Sequence, residues 1–201
     1  MDATQHIAQG KQFLHARQFR PAVESFRAAV DLAPRSVEPL MGLGFALHAS
    51  GNPGAALCAF QEALTINPNQ AELHFGHGLA LMETGDPYRA IREFKRTLEL
   101  APEHRVCRDM LKKALVLHTK ELFEQKNFVW AEQMIQDQLE LDEHDPDALA
   151  QMVDLKYRMT EYEEAKRLFR DLAEHKPDYP GLVELADKLG LRRQKERGWL
   201  Y

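Results

Sequence analysis

The sequence has few cysteines, no long apolar run and no strong excess of charge of one sign. Its 201 residues include two cysteines, Cys58 and Cys107, which stand alone and indicate neither a disulfide framework nor a zinc site. We expect both to be small buried thiols. No segment has the apolar length that crosses a bilayer, and the start MDATQHIAQGKQF has no basic region followed by an apolar block. A cytoplasmic location without membrane insertion is therefore predicted.

Charge and motif content argue against two further classes of protein. A net charge of −5 supplies no positive field for duplex nucleic acid, so nucleic acid is not expected as a partner. The sequence contains no GxxxxGK[ST], GxSxG or HExxH motif, and no other grouping of a nucleophile with an acid or base. We predict that the protein is not an enzyme and needs no cofactor.

A repeat of 34 residues is the main feature that the sequence does contain. The stretch GFALHASGNPGAALCAF, residues 44–60, has the same skeleton as GLALMETGDPYRAIREF, residues 78–94. Four kinds of position coincide three times at this shift, which indicates an internal repeat. They are Gly10, Gly44 and Gly78; Ala22, Ala56 and Ala90; Phe26, Phe60 and Phe94; and Pro34, Pro68 and Pro102.

Each unit of the repeat has the pattern of two helices joined by a tight turn. In the third unit, Gly85 is suited to a positive φ and Pro87 to the first turn of a second helix. A glycine inside a helix costs about 1 kcal/mol relative to alanine, so Gly78 must be compensated by close packing. We predict that Gly78 and Ala90 lie where the two helices approach most closely and that Phe94 fills the gap beside them.

This spacing resembles the tetratricopeptide repeat family, whose unit is a 34-residue helix-turn-helix. The resemblance implies an all-α, right-handed superhelical solenoid of stacked helix-turn-helix repeats in a single domain, residues 1–201. Thr119 and Val153 replace the glycine in the last two repeats. The predicted repeats are residues 3–36, 37–70, 71–104, 112–145 and 146–179.

Two segments fall outside the repeats. Residues 105–111 contain no helix breaker, so we predict that they extend the first helix of the fourth repeat; a harmless insertion and a partner-specific spur both remain open. In residues 180–201, an apolar stripe after Pro180 predicts a capping helix that ends near Gly190. The chain then ends on Trp199, Leu200 and Tyr201, which leaves open whether these side chains dock or the natural chain continues.

The resemblance also implies a partner-binding groove, because the first helices of such repeats line the concave face. Between Arg35 and Arg89 the sequence has no lysine or arginine, which favours an apolar partner segment with basic flanks. Gly42 and Gly76 are expected to let that ligand approach the backbone. The alternative is that these repeats lack lysine and arginine only because they are the best-buried part of the solenoid. The predicted groove residues are Ile7, Lys11, Leu14, Met41, Phe45, His48, Phe75, Leu79, Met82, Lys120, Asp154 and Tyr157.

One familiar ligand of the family is not expected. Adaptors of this family hold the acidic tail of a chaperone with a clamp of lysine, asparagine and arginine, and only Lys11 among the matching positions can donate to a carboxylate. The clamp positions are Ile7, Lys11, Gly42, Glu72 and Gly76.

Metal binding is the other alternative for this region. His74 and His77 are three residues apart, and His48 is the candidate for a third ligand. We predict no metal site.

The predicted function is a non-enzymatic scaffold, adaptor or chaperone that binds an amphipathic helix or extended segment of another protein. A homo-oligomer remains open. The alternative is a regulatory or substrate-recruiting repeat domain of a longer enzyme or a multi-protein assembly.

Overall fold

The computed structural model describes the backbone of residues 1–194 and 198–200 and the side chains of residues 1–191. Eleven helices and two short strands occur in this part of the chain. The helices are α1 (Ala3–His15), α2 (Phe19–Leu32), α3 (Val37–Ala49), α4 (Pro53–Ile66), α5 (Ala71–Glu83), α6 (Pro87–Leu100), α7 (Arg105–Glu124), α8 (Phe128–Leu141), α9 (Pro146–Arg158), α10 (Tyr162–His175) and α11 (Leu182–Lys188). The strands, β1 (Arg192–Gln194) and β2 (Gly198–Leu200), pair antiparallel with Arg193 opposite Trp199.

Consecutive helices pack as hairpins, which confirms the predicted all-α architecture of helix-turn-helix repeats. The chain forms two compact units, Met1–Ala114 and Leu115–Tyr201. In the first unit α1 packs on α2, α3 on α4 and α5 on α6, and α3 also contacts both α1 and α5. The first helices of the three repeats therefore form a row. In the second unit α9 packs on α8, α10 and α11. The prediction of one domain over residues 1–201 stays a prediction.

The turn inside each hairpin has one residue in the left-handed region. In the third repeat this residue is Gly85, with φ +81°, and the Asp86 side chain then accepts a hydrogen bond from the backbone N of Arg89 at 3.0 Å. Pro87 begins α6, as the sequence predicts. The other four repeats place Arg17, Gly51, Lys126 and Thr160 at this position, all with positive φ.

The recurring glycines of the first unit make room for the recurring phenylalanines. A Cβ atom on Gly44 would lie 2.7 Å from the Phe60 ring, and one on Gly78 would lie 2.6 Å from the Phe94 ring. A Cβ on Gly76, from the following repeat, would meet the Phe60 ring just as closely, and one on Gly42 would meet the Phe26 ring. The expectation that Gly42 and Gly76 admit a ligand is therefore wrong, because aromatic rings of the preceding repeats occupy that space.

The second unit fills the same positions with larger first-helix residues. Thr119 stands in the glycine position of the fourth repeat and Ile135 in the phenylalanine position, and both are buried. Thr119 Oγ1 donates to the Leu115 carbonyl at 2.7 Å and accepts from Gln138 Nε2 at 3.1 Å. Thr119 on α7 is larger than the glycine of the first three repeats, and Ile135 on α8 is smaller than their phenylalanine, so the change on one helix is matched by the change on the other.

Residues 105–111 and 182–190 agree with the predictions from sequence, whereas the sequence reasoning predicts neither of the strands β1 and β2. Helix α7 includes residues 105–111 and is 20 residues long, so the inserted residues do extend it. Helix α11 buries Leu182, Leu185 and Ala186 against the last repeat, and Gly190 follows it with φ +69°. Among the described residues, no helix has both the length and the apolar character that a membrane span needs.

The expectations for the two cysteines and for the final aromatic residues are not confirmed in full. Cys107 is buried as predicted, but Cys58 is exposed, so the expectation of a buried thiol is wrong there. Tyr201 and the side chains of Trp199 and Leu200 lie outside the described residues, so the docking of the final aromatic side chains stays a prediction.

Candidate functional site

A half-buried apolar strip runs along the first helices of the first unit. We define the front strip as Met41, Phe45, Phe75, Leu79 and Met82, which lie on α3 and α5. The Phe45 ring meets the Phe60 ring edge-on with the centroids 5.0 Å apart, and the Phe75 ring lies 4.6 Å from that of His104. Each aromatic side chain therefore packs partly against its own repeat while part of it stays open to solvent.

The remaining predicted groove residues of the first unit are packed or paired. Ile7 is 9% exposed and belongs to the apolar core, and Leu14 packs against the same core. Lys11 Nζ lies 2.7 Å from Glu38 Oε1, which neutralises the one cation at the clamp positions. His48 Nε2 lies 3.2 Å from Glu83 Oε1. These pairs link neighbouring first helices of the row.

His74 and His77 both meet the Glu93 carboxylate. His74 Nδ1 lies 2.7 Å from Glu93 Oε2, and its Nε2 lies 2.9 Å from the Pro68 carbonyl oxygen. The buried His77 places Nδ1 3.5 Å from Glu93 Oε1. This cluster joins α5 to α6 inside one hairpin.

The Glu93 carboxyl is stabilised in its charged form. Burial raises the pKa of Glu93, but the contacts with His77 and His74 outweigh burial and hold that pKa below its ordinary value of 4.5. We therefore assign His74, His77 and Glu93 a structural role. His48 is engaged with Glu83 and does not complete a ligand set with them.

The second unit contains a cleft of about 540 Å³. Its walls come from α7, from α9, from the turn before α11 and from α11 itself. Val116 and Phe123 contribute apolar surface, while Lys120 stands exposed at the rim. We define the second-unit cleft by all its lining residues, which are Val116, Lys120, Phe123, Ala150, Gln151, Asp154, Arg158, Tyr179, Pro180, Gly181, Glu184 and Leu185.

Charged side chains of both signs hold the wall of this cleft in place. Asp154 Oδ2 accepts from Arg158 Nε at 2.7 Å, and its Oδ1 lies 3.4 Å from Lys188 Nζ. The Arg158 guanidinium lies 5.7 Å from the centroid of the Phe123 ring, within the range of a cation–π contact. The cleft thus combines an aromatic side chain with an arginine already oriented by a carboxylate.

Tyr179 closes the cleft on the side of the capping helix. Its hydroxyl donates to Asp147 Oδ1 at 3.1 Å. Burial, together with the nearby Asp147 carboxylate, raises the pKa of Tyr179 to about 12, so the hydroxyl remains a neutral donor. The hydrogen bond fixes the turn at residues 179–181 against the start of α9.

The structure brings two of the predicted groove residues, Lys120 and Asp154, into this one cleft. Tyr157 lies on the same helix as Asp154 but packs its ring edge-on against Tyr162, with the centroids 5.6 Å apart. Sequence reasoning missed the contributions of Tyr179 and Leu185, because the repeat pattern assigns lining residues only to first helices. The apolar stripe after Pro180 is the one signal for Leu185, and by itself it predicts only a capping helix.

The buried thiol has no feature of a nucleophile. Cys107 Sγ lies 3.4 Å from the Phe94 carbonyl oxygen. Burial raises the pKa of Cys107 to about 11, so the unreactive thiol form dominates at neutral pH.

Models of the tetratricopeptide repeat match residues 7–71 and 71–104. Among curated proteins, no sequence matches this chain. Solved structures that are similar to it share its fold at low sequence identity. YrrB, described as a tetratricopeptide repeat protein with an unusual peptide-binding site, is 18% identical with a TM-score of 0.62, and the match covers 93% of this chain and 92% of that one.

Two further similar structures contain a bound peptide. The type III secretion chaperone SycD of Yersinia enterocolitica, in complex with a peptide of the translocator YopD, is 16% identical with a TM-score of 0.53 over 57% of this chain and 93% of that one. The first repeat domain of Spaghetti (RPAP3), bound to the HSP90 peptide SRMEEVD, is 17% identical with a TM-score of 0.55 over 56% of this chain and 90% of that one.

Proposed function

Because the chain belongs to the tetratricopeptide repeat family, we propose that it is a non-enzymatic scaffold that binds a segment of a partner protein. The observation that carries this proposal is the second-unit cleft, which is open to solvent and lined by apolar and charged side chains. A concave site with an apolar floor and a few oriented polar groups is the usual form of a binding site. Structures with the same fold hold peptides, which supports the same class of ligand here.

The expected ligand is an amphipathic helix or an extended segment with apolar anchors. An apolar side chain of such a segment would pack on Phe123 and Val116, and its polar groups would meet Lys120 at the rim. The front strip is a second surface of the same kind, and there the exposed Glu72 and the absence of lysine and arginine between residues 35 and 89 favour basic flanks on the ligand.

An acidic chaperone tail is not the ligand in this proposal. Such a tail needs unpaired cations, whereas Lys11 is bound to Glu38, Ile7 is in the core, and Gly42 is packed against Phe26. A synthetic peptide that ends in EEVD should therefore give no binding heat in calorimetry. Tight binding of that peptide would contradict this part of the proposal.

The test of the proposal compares matched arginine substitutions. Partners are captured from a lysate, the bound segment is mapped and synthesised, and its affinity is measured by fluorescence anisotropy. Val116→Arg places a charge in the second-unit cleft, and Val129→Arg places the same charge on the outer helix α8, where Val129 is 73% exposed. Val116→Arg should weaken binding by about 2 kcal/mol or more, as loss of a central contact does, and Val129→Arg should leave it unchanged.

The front strip has its own pair of variants. Leu79→Arg alters the strip, while Leu32→Arg changes an exposed leucine on the second helix α2 and serves as its control. Loss of binding in Leu79→Arg alone would assign the ligand to the front strip. Full binding in both Val116→Arg and Leu79→Arg would show that neither the second-unit cleft nor the front strip binds the ligand.

The finer descriptions stay predictions. An adaptor or chaperone role, a cytoplasmic location and the alternative of a recruiting domain within a longer enzyme all rest on sequence reasoning. Reading the gene's frame past Tyr201 separates the last alternative from a free-standing scaffold.

A further inference from the structure

Two histidines from different repeats of the second unit stack directly on each other. His144 lies in the turn between α8 and α9, and His175 is the last residue of α10. Their ring centroids are 3.7 Å apart and their planes differ by 14°. Asp171, one helical turn before His175, lies beside them. One potential ligand atom from each of these three residues lies within 4.8 Å of the other two.

Asp171 fixes which nitrogen of His175 faces outward. His175 Nδ1 lies 2.9 Å from the Asp171 carboxylate and 3.0 Å from the Asp171 carbonyl oxygen, and both oxygens accept hydrogen bonds. The hydrogen of a neutral His175 ring is therefore on Nδ1, which leaves the lone pair on Nε2 for another partner. A carboxylate that orients a histidine in this way also makes the ring a stronger metal ligand.

The surroundings of the pair favour a cation. Glu174 adjoins His175, and Asp142 and Glu143 precede His144 in an exposed turn. These carboxylates lower the local potential and attract positive charge. Both histidines are exposed, so water can supply the remaining ligands of an ion. Binding of one ion by both rings requires the stacked rings to rotate apart, and their exposure leaves room for that movement.

We propose that His144 and His175, with Asp171 orienting the His175 ring, form a binding site for a divalent transition-metal ion of the zinc type. Imidazole nitrogen is a ligand that suits Zn²⁺, and water can occupy the remaining positions of the ion at this exposed site. The ion would join the α8–α9 turn to the end of α10, and so connect the fourth repeat to the fifth. Residues 179–181, which line the second-unit cleft, begin four positions after His175 in the chain.

The test is a calorimetric titration of the full chain, without a histidine tag, with zinc chloride at pH 7.5 after treatment with a chelator. We expect one ion to bind per chain, and His144→Gln and His175→Gln each to weaken binding by about tenfold or more. His15→Gln is the matched control, since His15 is also the exposed last residue of a helix. This variant should bind as the unmodified chain does.

A second readout covers the case in which a variant perturbs folding. Zinc should raise the melting temperature of the unmodified chain, because an ion that binds the folded state stabilises it. The rise should be absent in His144→Gln, which changes only an exposed turn. The proposal is overturned if zinc gives no binding heat, if both variants bind zinc as well as the control, or if His74→Gln abolishes binding instead.

Discussion

At the scale of single residues, the recurring glycine and phenylalanine of the first three repeats correspond to one close contact between a helix backbone and an aromatic ring. The Phe60 ring lies between Gly44 of its own repeat and Gly76 of the next, and a side chain on either glycine would occupy the space of the ring. The glycines are therefore required by packing within a repeat and between neighbouring repeats, and not by backbone conformation. Phe26 has the same relation to Gly10 and Gly42.

Gly44→Leu should lower the free energy of unfolding by about 1 to 3 kcal/mol, because the added atoms overpack the contact with Phe60. Urea denaturation at fixed pH measures this change. Gly54→Ala is the control, since nothing lies within 4 Å of a Cβ at that exposed helical position. It should raise stability by about 0.5 to 1 kcal/mol through helix propensity. Equal stability of Gly44→Leu and the unmodified chain would show that this explanation of the glycine is wrong.

The free energy of unfolding should depend on pH through the Glu93 carboxyl group. Its pKa in the folded protein is below the ordinary value of 4.5, so its contribution to stability is complete above pH 4.5 and is lost as the pH falls below that value. Glu93→Gln should cost about 1 to 3 kcal/mol at pH 7, as loss of a charged hydrogen-bond partner does, and the difference from the unmodified chain should shrink as the pH falls below 4.5.

Urea denaturation between pH 3.5 and pH 7 tests this dependence. Glu99→Gln, on the same helix, removes only an exposed pair with Arg96, and such pairs contribute about 0 to 1 kcal/mol. A cost in Glu93→Gln that stays constant down to pH 3.5 would contradict the assigned role of the carboxylate.

At the scale of the helical hairpin, the inner turn requires the left-handed conformation in all five repeats. Glycine meets this requirement in two of them, and Arg17, Lys126 and Thr160 meet it in the others. An ordinary residue in this region costs about 1 to 3 kcal/mol, and a β-branched one is the least suited. Thr160, with φ +64°, is therefore the most strained of the three.

Thr160→Gly should raise the free energy of unfolding by about 1 kcal/mol, because the relief of strain exceeds the added flexibility of the unfolded chain. Gly85→Ala makes the reverse change at φ +81° and should lower stability by a similar amount. Thermal melting of the two variants beside the unmodified chain measures both effects. If Thr160→Gly melts lower than the unmodified chain, the Thr160 side chain makes a stabilising contact that outweighs its strain.

The sequence was sufficient for the hairpins but not for the cleft. Turn residues such as Gly85 and Pro87, and the absence of a breaker in residues 105–111, are local signals, and the helices follow them. The cleft depends on how the turn at residues 179–181 and Leu185 pack beside α9, which is a tertiary contact without a local pattern. The stacking of His144 on His175 also has no local pattern, because it joins a turn to the end of a helix 31 residues later in the chain.

At the scale of the whole chain, a stack of repeats must end on a surface that water tolerates. Each hairpin buries its apolar face against its neighbours, so the last hairpin needs a cover. Helix α11 supplies it with Leu182 and Leu185, and Leu189 and Leu191 extend the same apolar cluster beyond its end. The opposite side of this helix carries the exposed Glu184 and Asp187.

Removal of residues 180–201 should therefore expose the apolar face of α9 and α10. Each leucine buried by the cap contributes about 1.5 to 3 kcal/mol, so the truncated chain should melt at a lower temperature and associate through the exposed face. Light scattering after size-exclusion chromatography, together with thermal melting, measures both effects. A shorter truncation that removes only residues 192–201 keeps α11 and Leu191, and it should remain as monodisperse and as stable as the full chain. If the longer truncation matches the shorter one in both measurements, α11 does not act as a cap, and its contacts with the last repeat serve the wall of the second-unit cleft alone.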